Sequence, residues 1–137
     1  ILNDGKDLTK DFAIDHSNPF CTSYTSFFTK TPSEVYIEAM EDCEVLTWSG
    51  DYFIPMLESD LKWQTWSQRM AVFLFRRKEQ REIAFLKQTS EERYLQFLKD
   101  FPGLDERVSQ HYIASYLGIT PETLSRLRRS MSSTINA

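Results

Sequence analysis

With 137 residues, 41% hydrophobic and 26% charged, the chain has the composition of one ordinary globular domain or two small ones, and no apolar run approaches the roughly 20 residues of a membrane span. Cys21 and Cys43, with His16 and His111 as the only histidines, are too few and too widely spaced for a CxxC-type metal centre. No cofactor or metal is therefore expected, and reduced thiols with no signal peptide at the start read as a cytoplasmic protein.

The net charge of −4 is unevenly divided. Residues 1–60 carry three Lys/Arg against twelve Asp/Glu, residues 61–104 nine against five, and residues 105–137 four against three. An acidic front and a basic back suggest two modules, with nucleic acid approached by the back. The chain begins in a β idiom. Asn3, Asp4 and Gly5 form a hairpin turn signal, and Leu8, Phe12 and Ile14 share one face of the strand that follows. His16 to Pro19 is a loop, and Tyr24, Phe27 and Phe28 fit one helical turn that Thr31 and Pro32 end. Strands are expected at 35–39, where Val35, Ile37 and Ala39 alternate, and at 44–48. So few strands cannot close a sheet alone, and the stretch reads as the back half of a longer barrel.

From Ser49 the pattern turns helical: a short helix at 51–57, then a long one from Leu61 to about Lys87, spanning about 40 Å at 1.5 Å per residue. Trp63, Trp66, Met70, Phe73 and Arg77 recur at threes and fours, as does the row Trp66, Met70, Leu74 and Arg77. That much apolar surface points to a partner helix across a two-fold axis, with a core helix under the barrel as the alternative. Thr89 N-caps the next helix, Glu92 completes a capping box, and residues 101–104 (FPGL) end it.

The segment from Val108 to Arg129 reads as two short helices joined by a tight turn. Ser109 and Thr120 are N-caps, Val108 with Ile113 and Ile119 with Leu124 have hydrophobic-staple spacing, and Pro121 sits at N1. Gly118 falls where the chain must adopt a positive φ. Counting Gln110 as position one, apolar residues occupy positions four, eight, ten, fifteen and eighteen, alanine five and glycine nine, the pattern of a helix-turn-helix that reads DNA. Two helices that merely pack on a core would share the apolar positions; the outward face separates the readings. Glu122, Ser125, Arg126 and Arg129 project away from Leu124 and Leu127, with Arg128 beside them. Glu122 can accept from cytosine N4 and Arg126 can grip guanine, while Gln110, Thr120, Thr123 and Arg129 suit the backbone or neighbouring bases. After Arg129 the polar tail is expected to fray.

With these residues assembled, the chain resembles the Crp/Fnr family of transcription regulators, most specifically over residues 91–104 (EERYLQFLKDFPGL) and 109–129. The resemblance implies an α+β fold: a partial β-roll of cyclic-nucleotide-binding type over residues 1–58, a dimerisation helix over 59–88 with Trp63, Trp66, Met70, Phe73 and Arg77 at its interface, and a DNA-binding domain over 89–137. It further implies a homodimer on an inverted repeat of double-stranded DNA, RNA polymerase as a partner, and a small-molecule effector. The effector is not expected to be a standard cyclic nucleotide, because Thr22 and Ser23 replace the family's Gly-Glu pair and Ser33 or Glu34 its arginine. Thr22 and Ser23 are then either neutral ligand contacts or ordinary turn hydroxyls. Pro121 stands where an arginine often reads guanine, and residues 130–137 leave no room for the family's β-hairpin wing. The reading from another class is a ligand-sensing or protein-interaction module whose helix-turn-helix no longer binds DNA. An enzyme finds little support, for there is no Gly-rich phosphate loop and no evident nucleophile–base pair.

Overall fold

The computed structural model describes residues 8–15 and 17–135, the last four of these by backbone only. Among the described residues the chain forms α1 (Tyr24–Thr29), α2 (Gly50–Glu58), α3 (Leu61–Lys87), α4 (Ser90–Asp100), α5 (Leu104–Arg107), α6 (Gln110–Leu117) and α7 (Pro121–Ile135). Two compact units divide it: residues 1–21 with 88–137, and residues 22–87.

The first unit holds the buried core. Tyr94 and Phe97 of α4, Phe101 and Leu104 after it, Ile113, Ala114 and Leu117 of α6, and Leu124 of α7 are all buried. Phe12 reaches the same core from the N-terminal segment. Each helix end is specified locally. Thr89 accepts from the Glu92 N–H while the Glu92 carboxylate accepts from the Thr89 N–H, the capping box expected from the sequence. This hydrogen bonding holds the Glu92 carboxyl below the usual carboxylate range. The box is therefore intact above that range and is lost as the pH falls through the lowered value.

Between α6 and α7, Gly118 stands at φ 67°, its N–H reaching Ser115 O while the Ile119 N–H reaches Ala114 O at 3.0 Å. This paired closure satisfies two carbonyls at the end of α6 and aims the chain into α7. Gly118→Ala should destabilise the unit by about 1–2 kcal/mol, because a Cβ at positive φ crowds its own carbonyl. Thermal melting checks this, and an unchanged midpoint would mean that the turn relaxes at no cost.

In the second unit α2 packs on α3, which runs over the length expected for it. Asp60 starts α3 by accepting from the N–H groups of Lys62 and Trp63. None of residues 22–87 is buried; the unit is joined by edge contacts such as Phe27 with Phe53 and Phe53 with Trp66.

The α+β fold with a partial β-roll is overturned. Among the described residues there are no strands, and the nearest approach to pairing is a single bridge between Ile14 and Asn18. The segments read as strands, 35–39 and 44–48, are irregular and solvent-facing, with Tyr36 83% and Leu46 81% exposed. Alternation encodes a strand only where a neighbouring edge offers it backbone hydrogen bonds, and among the described residues none lies alongside. Phe12, placed on a strand face with Leu8 and Ile14, instead plugs the helical core while Leu8 stays exposed. The hairpin signal at Asn3 to Gly5 lies outside the described residues.

Candidate nucleic-acid interface

The face of interest is built on α7. Thr120 begins the helix, accepting from the Thr123 N–H at 3.3 Å, and Pro121 occupies the first turn, where no N–H is needed. Leu124 is fully buried, and Leu127 and Met131 pack against the same core. With that side fixed inward, Pro121, Glu122, Ser125, Arg126 and Arg129 fall together on the opposite, open side. Four of the seven residues assigned to DNA reading are thereby brought together.

The others lie around them. Thr120 and Thr123 share a hydroxyl–hydroxyl hydrogen bond of 3.2 Å at the start of α7. Gln110 is exposed at the first position of α6. An Arg126 guanidinium N–H donates to the Thr123 hydroxyl at 3.3 Å, and Arg129 donates to the Ser125 carbonyl and hydroxyl. Glu122 has its carboxyl held below the usual carboxylate range, first by its own backbone N–H, then by the Thr120 hydroxyl and by the charge of Arg126. At neutral pH this face therefore offers one ionised acceptor and two guanidinium donors, a set that matches base edges and phosphates.

Arg128 departs from the sequence reading. Its guanidinium donates to the Asp105 carboxylate at 3.0 Å and to the Asp105 carbonyl at 3.3 Å, with the two side chains only 28% and 19% exposed. It is engaged across helices and not presented beside Arg126 and Arg129. Arg93 was not singled out either; it donates to the Leu117 carbonyl at the end of α6 and to the Gln88 carbonyl. The Arg128–Asp105 and Arg93–Leu117 pairings join residues more than twenty positions apart, and no local pattern announces them. The helix α7 also continues to Ile135 where fraying was expected, and Met131 continues the Leu124–Leu127 stripe that could have signalled it.

The remaining candidates fall in the second unit. Ser23 N-caps α1, accepting from the Ser26 N–H, and Thr22 precedes it half-buried. The roll in which this pair was to face an effector is absent among the described residues. Along α3, Trp66 sits edge-on to Phe53 of α2 and to Trp63, so that part of the row assigned to dimerisation packs within the chain. Met70 and Arg77 are half-buried, and Trp63 and Phe73 are exposed. Cys21 and Cys43 are exposed free thiols; partial desolvation by its neighbours and the charge of Asp11 push the Cys21 thiol up, away from a reactive thiolate. Among the described residues no helix is long and apolar enough to cross a membrane, and no cluster of His, Cys, Asp and Glu is placed to hold a metal ion.

No protein-family model, curated protein or solved structure matches this chain. The resemblance to the Crp/Fnr family is accordingly withdrawn. The described residues lack the roll that defines the family's front, no family match supports membership or a cyclic-nucleotide-binding-like domain, and transcription regulation has no family support. What the fold defines is narrower: a small helical unit carrying a helix-turn-helix with an open polar face.

Proposed function

We propose that this chain is a non-enzymatic, sequence-specific double-stranded DNA-binding protein that acts as a homodimer, with α7 as its reading helix. The observation that carries the reading is the division of α7 into a fully buried side through Leu124 and an open side through Glu122, Ser125, Arg126 and Arg129. A packing helix also turns a polar side outward; here that side groups one carboxylate with two guanidiniums, the set that suits base edges and phosphates. Arg126 reads guanine, Glu122 accepts from cytosine, and Gln110, Thr120, Thr123 and Arg129 hold the backbone or adjacent bases. Dimerisation is supported by the large apolar side chains that α3 leaves exposed, among them Leu61, Phe75 and Leu86. Paired half-sites then lie about 34 Å apart as an inverted repeat.

Selection of bound duplexes from a random pool tests the reading. Recovery of an inverted repeat, with retention that weakens as salt rises, supports it. No retention of any duplex at low salt sinks it in favour of a protein-interaction module, a reading for which the acidic, exposed segment 31–60 speaks. On the selected duplex, Arg126→Ala should cost about 1–3 kcal/mol of binding and relax the preference at one base pair. An equal loss on random DNA would mean that only a phosphate contact was removed.

A further inference from the structure

On a helix turning about 100° per residue, Arg128 lies about 40° from the buried Leu124, whereas Glu122, Ser125, Arg126 and Arg129 cluster on the far side. It therefore flanks the core-facing stripe and has an immobile target there. Asp105 belongs to α5, whose start is fixed by Gly103 at φ 74° and by the buried Leu104. The Arg128 guanidinium meets that residue twice, at the carboxylate and at the backbone carbonyl. Nearby, burial pushes the Tyr94 phenol of α4 up, the charge of Arg128 pulls it down and that of Asp105 pushes it up. Two helices, α5 and α7, thus meet at one planar, directional group.

Leu124, Leu127 and Met131 seat α7 on the core. The guanidinium fork beside that stripe adds a directional constraint that apolar packing does not carry. We propose that Arg128 is a positioning residue: it touches no DNA and, through Asp105, sets the rotation of α7 that points Glu122, Ser125 and Arg126 at the base edges. This rests on the DNA-reading function above. It also explains why one of three clustered arginines is withheld from the open face.

Asp105→Asn is the discriminating variant, since it leaves every arginine in place while weakening the fork. In the full chain, affinity for the selected duplex and for random DNA is measured across a salt series, with melting curves to confirm folding. Asp105→Asn and Arg128→Gln should each lower the selected-to-random ratio by about tenfold, equivalent to losing one base-pair contact. Neither should change the salt slope, and the double variant should be no worse than the poorer single one. Arg128→Lys, which keeps the charge and stem, should give an intermediate ratio and serves if Arg128→Gln does not fold. The proposal is overturned if Asp105→Asn tightens binding to every duplex with a steeper salt dependence, for then the released Arg128 is a phosphate contact. It is equally overturned if folded variants keep the wild-type ratio. A wild-type chain that binds no duplex removes the DNA-reading function itself, a result distinct from either.

Discussion

Phe97→Ala should cost the first unit about 3–5 kcal/mol, the full range for emptying an aromatic site that cannot collapse. Phe97 is 1% exposed and lies at the centre of a ring cluster, with centroids 5.3 Å from Phe101, 5.8 Å from Tyr116, 6.0 Å from Phe12 and 6.4 Å from Tyr94. Those neighbours come from α4, from the turn after it, from α6 and from the N-terminal segment, so no single side chain can move in without drawing another away. A unit this small has a stability of only a few kcal/mol to draw on. The expected result is therefore a largely unfolded first unit at 37 °C, with Phe97→Leu intermediate. Urea unfolding followed by tryptophan-independent circular dichroism measures it; a loss below about 1 kcal/mol would show that the cluster repacks and that the core lies elsewhere.

The parts of this fold that were legible are those whose signals lie within one turn of the chain. Ser109, Gly118, Thr120 and Pro121 each specify a local backbone state, and together they place α6, its turn and α7 without reference to any distant residue. Thr89 with Glu92 did the same for α4. The four residues expected to face outward together on α7 do so for a related reason: helical period and the buried Leu124 determine the opposite face. What was illegible depended on partners. The alternation at Val35, Ile37 and Ala39 encodes one half of a ladder, and without the other half it forms no strand. The four-residue α5 follows Pro102 and Gly103, residues that end one helix and conceal the start of the next. Arg128 looked like its neighbours Arg126 and Arg129 because nothing local reports Asp105, 23 positions upstream. Such pairings are decided by where whole helices come to rest.

Phe12→Ala is the second large effect, and it bears on whether the N-terminal segment belongs to the helix-turn-helix unit at all. Phe12 is buried with its ring centroid 5.3 Å from Tyr116, 5.8 Å from Phe101 and 6.0 Å from Phe97. Its backbone carbonyl accepts from the buried Asn18 side chain at 2.7 Å, Ile14 and Asn18 exchange backbone hydrogen bonds, and the Thr9 N–H donates to the Ser115 hydroxyl of α6 at 2.9 Å. The whole of residues 22–87 intervenes before the chain returns to this unit, so closing the segment onto the core costs loop entropy that sequence proximity does nothing to offset. One aromatic anchor and a few hydrogen bonds must supply the difference. Removing the anchor should therefore cost about 3 kcal/mol, and release of the segment would limit the loss by leaving no sealed cavity. Two readouts separate release from simple cavity formation. If the segment detaches, the Ile14 and Asn18 amides lose protection from hydrogen exchange while those of α6 keep most of theirs; if only a cavity forms, all fall together with global stability. Full protection at Ile14 and Asn18 with an unchanged melting midpoint would mean that Phe12 is a passenger, and that α4 to α7 close their core without it.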